Sequence, residues 1–313
     1  MARVCENSGH AGNGEAAMLD RQQLETFAAV VQHQNFGLAA AALNISRGAV
    51  SQRIKALEEA VGTVLLVRET PVIPTRAGDA LLRHIKALRL LEEDTLERIK
   101  PTGSAPVCVA IAVNADSLET WFRPVVWQLA KQHMALELVV DDQDHTLRSL
   151  ARGEVVGCIS TEKDAQVGFV ADSIGAMRYQ CVATSSFAQE YFPNGLTLPQ
   201  VLATPAILFN RKDALHDIFL ESLFGFPIKK YVKHYFPSPL ILLAGICQGV
   251  GYGLVPSMQI ESLLQSKDLI DLAPMHAIDV NLYWHHWQLE PPPAAMISQL
   301  VIEHARGTLL QSV

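Results

Sequence analysis

The chain has 313 residues, 49% hydrophobic and 18% charged, enough for two or three domains with cores of their own and outside the disordered and fibrous classes. Its formal charge of -7 argues against a nucleic-acid partner only as an average: residues 20–100 hold 11 basic against 10 acidic side chains, and residues 101–313 hold 13 against 20. Within 46–76 the basic residues Arg47, Arg53, Lys55, Arg68 and Arg76 outnumber Glu58, Glu59 and Glu69.

In chain order, residues 1–17 are small and polar, lack the apolar core of a secretory signal, and read as a disordered extension; Met18 opens the patterned sequence. Leu24, Phe27, Ala28 and Val31 recur at helical spacing over 20–34. Phe36 marks a turn, and an alanine-rich helix follows over 38–43. Asn44 suits a left-handed position, Ile45 can plug the core, and Ser46 is an N-cap for a third helix over 47–61, ended by Gly62. A strand over 64–67, a proline-edged loop over 69–74 and a long helix from Thr75 to about Lys100 precede a Pro- and Gly-containing linker at 101–106.

Beyond the linker, strands are predicted over 107–113, 136–141, 155–160, 178–183, 206–209 and 230–236. Helices are predicted over 118–132, 145–152 and 215–224. Such alternation implies parallel sheets with helices on both faces and ligands at the carboxyl ends of strands. The uncharged stretch 239–256 holds four glycines and bounding prolines, so it reads as helix, turn and strand rather than a membrane span. Gly249, Gly251 and Gly253 precede a strand instead of following one, which denies them the context of a nucleotide loop. Five scattered cysteines (Cys5, Cys108, Cys158, Cys181, Cys247) with no CxxC spacing read as buried free thiols of a reducing compartment. His285 and His286 lack metal-ligand company, and no metal or other cofactor is expected.

On a helical wheel, Val50, Ile54, Leu57 and Val61 of the third helix form a core stripe, opposite Gly48, Ser51, Gln52 and Lys55, with Arg47 in the first turn. These types suit a DNA-reading helix. Arg47 can bond two acceptors of a guanine, Gln52 can pair with adenine, Ser51 can reach base or phosphate, and Gly48 lets the backbone approach the groove. Arg53, Lys55 and Arg76 suit phosphates, and Arg68 could enter the neighbouring minor groove. An ordinary solvated amphipathic helix would share the spacing.

The run Ser46-Arg47-Gly48-Ala49-Val50-Ser51-Gln52-Arg53-Ile54-Lys55-Ala56-Leu57-Glu58, with Gly62, Leu65-Leu66-Val67-Arg68 and Pro74-Thr75-Arg76-Ala77-Gly78, resembles the winged helix-turn-helix signature of LysR-type transcriptional regulators. Arg47 and Gly48 depart from the glutamine and proline or serine usual there. The resemblance implies an all-α winged helix-turn-helix domain (18–76), a dimerisation linker helix (75–100), and an α/β, two-lobed, periplasmic-binding-protein-like effector domain (107–313). Its lobe I would be 107–178 with 270–313, and its lobe II 179–269. Leu81, Ile85, Leu88, Leu96 and Ile99 fit an apolar seam for a second subunit, in a homodimer or homotetramer. The motifs around Asn114–Ser117, Gly153-Glu154, Phe187-Ala188 and Tyr283-Trp284 look like those of the branch that responds to lysine or arginine and controls basic amino-acid export.

A cationic effector agrees with the residues at the strand ends. Asn114, Asp116 and Ser117 follow the first strand of the second domain, where backbone amides can hold a carboxylate while Asp116 meets an ammonium. Asp142 and Asp144 follow the next strand, Ser160 ends another, and Phe209 and Asn210 end a strand of the other lobe. Tyr235 and Phe236 stand where the branch is more polar. The expectation is a cytoplasmic, non-enzymatic regulator whose partners are double-stranded promoter DNA and a small effector, lysine or arginine, with no membrane partner. The alternative is an amino-acid-binding module or α/β metabolic enzyme whose N-terminal helices serve oligomerisation.

Overall fold

The computed structural model describes residues 19–100, 106–132, 134–140 and 143–311; the predicted extension over 1–17, Cys5 and all of the linker but Pro106 lie outside them. The described chain forms two compact units that divide after Ile85.

In the first unit α1 (Arg21–His33), α2 (Phe36–Ala42) and α3 (Arg47–Val61) each begin where a side chain can take up amides that have no intrahelical partner. Asp20 accepts from the Gln23 amide, Asn35 from those of Gly37 and Leu38, and Ser46 from that of Ala49. The Asn35 cap is why Phe36 opens a helix instead of marking the predicted turn. Asn44 (φ 53°) and Gly62 (φ 74°) take the left-handed conformations expected of them, the latter capping α3. Leu24, Phe27, Val30, Ala39, Val50, Ile54 and Leu57 then fill one core with Leu65, Leu66, Val72, Leu81 and Ile85. Val61 departs from the expected stripe: at the last position of α3 it is exposed.

β1 (Leu66–Val67) and β2 (Ile73–Pro74) pair antiparallel, Leu66 opposite Pro74, so the segment predicted as loop supplies the second strand of a small wing. Next comes α4 (Arg76–Ile99), started by Thr75, whose hydroxyl accepts from the Gly78 amide and donates to the Val64 carbonyl. The first turn of α4 lies so close to the wing that a Cβ on Gly78 would stand 2.2 Å from the Leu65 carbonyl oxygen. Leu81 and Ile85 are buried in the first unit's own core, which removes them from the predicted seam; Leu88, Leu91, Leu96 and Ile99 remain exposed.

The second unit continues with β3 (Cys108–Val113), α5 (Ala115–Glu119), α6 (Arg123–Ala130), β4 (Ala135–Val140), α7 (Gln143–Ala151) and β5 (Gly157–Ser160). The single helix predicted over 118–132 is two, because Thr120 leaves helical geometry (φ -113°, ψ -103°) and Pro124, which has no amide hydrogen, stands in the first turn of α6. There follow β6 (Phe169–Thr184), α8 (Ser185–Tyr191), α9 (Leu198–Ala203), β7 (Ala206–Leu208), α10 (Leu215–Phe224) and β8 (Lys233–Tyr235). The chain closes with α11 (Pro239–Cys247), β9 (Tyr252–Pro256), α12 (Ser257–Gln265), β10 (Leu269–Asp271), β11 (Ile278–Trp287) and α13 (Pro292–Thr308). The uncharged stretch is thus helix α11, a turn and strand β9, as its glycines imply.

The strands hydrogen-bond in the order β4-β3-β5-β11-β6-β9-β7-β8, with β10 on the far part of β6. The sheet is mixed, not wholly parallel. β6, 16 residues long, pairs antiparallel with β11 from Phe169 opposite Trp287 to Tyr179 opposite Ile278, and this ribbon joins the β3–β5 lobe to the β7–β9 lobe. Trp284 of β11 is buried, donates from Nε1 to Ser298 Oγ at 2.8 Å, and lies over Gly157, where any Cβ would collide with its ring at 2.0 Å. Among the thiols, Cys158 and Cys181 are buried as expected, Cys247 is half-buried, and Cys108, at the start of β3, is exposed.

Candidate functional site

In the first unit the chemistry-bearing surface is the outer face of α3. Arg47, Gly48, Ser51, Gln52 and Lys55 are exposed together, while Val50, Ile54 and Leu57 anchor the opposite face. The Ser51 hydroxyl donates to the Arg47 carbonyl at 3.1 Å, and Lys55 pairs with Glu59 at 3.6 Å. Two of the expected phosphate or groove contacts are tied within the unit. Arg53 bridges to α1 through Gln22 (2.9 Å) and Thr26 (3.3 Å); Arg68 binds Glu58 at 2.8 Å, and Glu58 also accepts the Leu65 amide. These bonds lock the wing and α1 to α3. Arg76 is exposed at the start of α4.

In the second unit, strand register locates a cleft. β3, β4 and β5 are parallel, so their carboxyl ends share one edge; β7, β8 and β9 are likewise parallel. Ser160, ending β5, aligns through Tyr283 with Ser173 of β6, whereas Pro256, ending β9, aligns with Tyr179. β9 is antiparallel to β6, so the carboxyl ends of the two lobes face each other across residues 174–178, about 20 Å of strand at about 3.3 Å per residue. Ligands of open α/β sheets lie at such ends.

At the carboxyl ends of β3, β5 and β7 stand Asn114, Asp116, Ser117, Ser160, Phe209 and Asn210. The Asn114 side chain caps α5 by accepting the Ser117 amide at 3.0 Å, and so is occupied locally. The Ser117 hydroxyl is buried and has no hydrogen-bond partner among the described residues. Asp116 accepts the Tyr179 hydroxyl at 2.7 Å. Its pKa is raised, first by burial and also by the charge of Asp213, against the lowering effect of the Tyr179 bond. Ser160 is buried, its Oγ accepting the Glu162 amide. Asn210 folds its own loop, accepting the amides of Lys212 and Asp213, and Phe209 is partly buried against the core of the second lobe. Asp142 lies outside the described residues, and of Asp144 only its place in α7 is described.

Sequence reasoning missed Tyr179 and Asp213. Tyr179 sits mid-strand, where an aromatic residue signals only packing. Asp213, in Asn210-Arg211-Lys212-Asp213 after β7, carries the ordinary signature of a turn. Arg211 stacks on Tyr235, 4.9 Å from its ring centre, so the departure at Tyr235 has a local partner. A cavity of about 240 Å³ beside α7, lined by Leu147, Leu150, Glu162, Asp164, Gln166, Phe169 and His285, includes none of the residues expected at the strand ends. Among the described residues no cluster of His, Cys, Asp or Glu could hold a metal ion, and no helix is long and apolar enough to cross a membrane.

Residues 21–79 match the bacterial regulatory helix-turn-helix protein model of the lysR family, and residues 109–306 match the LysR substrate binding domain. The HTH-type transcriptional regulator ArgP of Photobacterium profundum is 40% identical over 295 residues, covering 94% of this chain and 99% of that protein. ArgP of Pseudomonas aeruginosa strain UCBPP-PA14 is 41% identical over 298 residues, 94% of this chain and 98% of that protein. Among solved structures, ArgP from Mycobacterium tuberculosis superposes with a TM-score of 0.84 at 35% identity, covering 94% of this chain and all of that one. Full-length LysG from Corynebacterium glutamicum, with bound effector Arg, superposes with a TM-score of 0.82 at 32% identity, covering 93% and 99%.

Proposed function

The chain belongs to the lysR family of bacterial helix-turn-helix proteins, DNA-binding transcription regulators and not enzymes, and from that premise we propose how it reads DNA and what it senses. α3 enters the major groove with Arg47, Gly48, Ser51 and Gln52 toward the bases; Arg47 takes a guanine and Gln52 an adenine. Lys55 and Arg76 contact phosphates, while Arg53 and Arg68 act by holding the reading head together at its rim. The working domains are 18–76, 75–100 and 107–313, and the protein acts in the cytoplasm, where promoter DNA is.

The effector is a basic amino acid held between the lobes, and the regulated gene encodes an exporter of basic amino acids. The observation that carries the effector is Asp116, a half-buried carboxylate that accepts its hydrogen bond from the neutral phenol of Tyr179 and, among the described residues, none from a cation. The Ser117 hydroxyl is a donor for the ligand's carboxylate. Arginine bound to LysG, similar along nearly the whole chain, supports the same class. The export target rests on the motif resemblance of the sequence alone.

Two measurements test this. Arg47→Ala should weaken operator binding by about 1 to 3 kcal/mol in a fluorescence anisotropy titration and relax preference at one base position; unchanged affinity removes the base contact. Calorimetry on the full chain should show heat with arginine and lysine and little with citrulline, which keeps arginine's shape without its charge. Equal binding of citrulline would end the case for a cation site.

A further inference from the structure

The β6–β11 ribbon that joins the lobes is built differently at its middle. The last rung of lobe I runs Ser160–Tyr283–Ser173, and the first of lobe II runs Ile278–Tyr179–Pro256. Between them, over 174–178, β6 has β11 along one edge and no strand along the other. The register slips within this gap: Tyr283 faces Ser173 and Leu282 faces Gly175, which leaves Ile174 as a bulge. Gly175 beside it has φ 119°, a conformation that a residue without a Cβ takes without strain.

The end of the chain takes the open edge. α13 is anchored in lobe I, where it packs on α6 and buries Ala294, Ile297, Val301 and Ala305. After the buried Leu309, Leu310 pairs antiparallel with Ala176: the Ala176 amide donates to the Leu310 carbonyl at 2.8 Å, and the Leu310 amide to the Ala176 carbonyl at 3.1 Å. Gln311 Nε2 donates to the Leu309 carbonyl at 3.1 Å and to the carbonyl of the bulged Ile174 at 3.4 Å. The approach is close, since a Cβ on Gly175 would stand 2.7 Å from Gln311 Nε2 and 2.8 Å from both Leu309 Cβ and the Leu310 carbonyl oxygen.

We propose that Leu309–Gln311 is a strap across the lobe hinge, a regulatory device that favours one lobe arrangement and thereby sets operator affinity. A bulged ribbon of two strands is where the lobes turn most easily, because bending it leaves the core of each lobe intact. The strap adds hydrogen bonds at that point whose geometry depends on the local twist of β6, so it stabilises the arrangement in which they form over any in which the ribbon is twisted otherwise. Loosening it shifts that balance without touching a residue of the cleft, whatever effector the cleft holds.

Two variants loosen the strap from opposite sides. Deleting residues 310–313 removes the bridge and leaves Leu309 and α13 in place, while Gly175→Ala puts a methyl group where the strap lies. Leu310→Ala keeps the backbone bonds and is the control. Thermal unfolding establishes that each is folded, and either loosening variant carries the test alone if the other does not fold. Hydrogen exchange on the full-length protein should quicken in peptides covering 174–178 and stay unchanged in β3 and β7. Affinity for a duplex that the unaltered protein selects from a random-sequence pool, read by fluorescence anisotropy, should change by about threefold or more, in the same direction for both variants, the scale of one or two backbone hydrogen bonds. Leu310→Ala should change neither. Faster exchange at the hinge with unchanged DNA affinity would reduce the strap to a local tie and overturn the proposal, as would unchanged exchange at the hinge.

Discussion

At the scale of single residues, two histidines bracket the pH range in which the second unit should be most stable. His286 places Nε2 2.9 Å from Asp172 and Nδ1 3.1 Å from Glu290; Glu290 in turn accepts from Ser298, which takes the Trp284 indole. Burial pushes the His286 pKa down, but hydrogen bonds and attraction from Glu290 and Asp172 outweigh it and leave the value raised. A raised folded value means that its stabilisation is complete below the unfolded pKa of about 6.5 and is lost as pH rises through the folded one. His216 works in the opposite sense. Buried among aromatic rings with neither nitrogen bonded among the described residues, it is pushed down to about 3 by burial, so stability falls as pH drops from about 6.5 toward that value. We expect the unfolding temperature of His286→Gln to lose the decline that the unaltered protein shows above about pH 6.5. Parallel curves for the two proteins through that range would show that the carboxylate pair contributes nothing.

Elements differ in how much of themselves they write into local sequence. The helix-turn-helix was legible because its signals lie within a few residues of one another: Ser46 caps α3, Asn44 turns left-handed before it, Gly62 ends it, and Val50, Ile54 and Leu57 mark its core face. Ser46→Ala should accordingly cost about 1 kcal/mol of stability by leaving the Ala49 amide without its acceptor, readable as a lower urea midpoint at unchanged slope. The wing was less legible, since strands of two residues show no alternation to read. The β6–β11 ribbon was missed for another reason. Its partners lie far apart in sequence, and only their pairing turns two apparently parallel lobes into one mixed sheet with a hinge. The cleft shared both fates: Asp116 and Ser117 could be found because they follow a strand, but Tyr179 matters only through the carboxylate that the fold sets opposite it.

At the scale of the whole molecule, a regulator needs its effector to favour one arrangement over another, and the coupling is reciprocal: if arginine changes operator affinity by some factor, operator DNA changes arginine affinity by the same factor. Were two copies joined, half-sites bound together would hold far more tightly than either alone. The surface available for such joining on α4 is narrower than periodicity implies. At 100° per residue Leu88, Leu91, Leu96 and Ile99 fall within about 140° of the helix circumference. All four are exposed, from 38% at Leu88 to 66% at Ile99, whereas Leu81 and Ile85 on the same side already belong to the first unit's core. A stripe of that kind is stable in water only when another apolar surface covers it, and a second copy of the helix offers a self-complementary one. Replacing Leu88 and Leu96 together with glutamate should therefore lower the assembly state in sedimentation velocity and weaken binding to a two-half-site operator by an order of magnitude or more, leaving single half-site binding and the cooperativity of unfolding of the first unit unchanged. A double variant that sediments as the unaltered protein does would assign assembly to a surface other than this stripe.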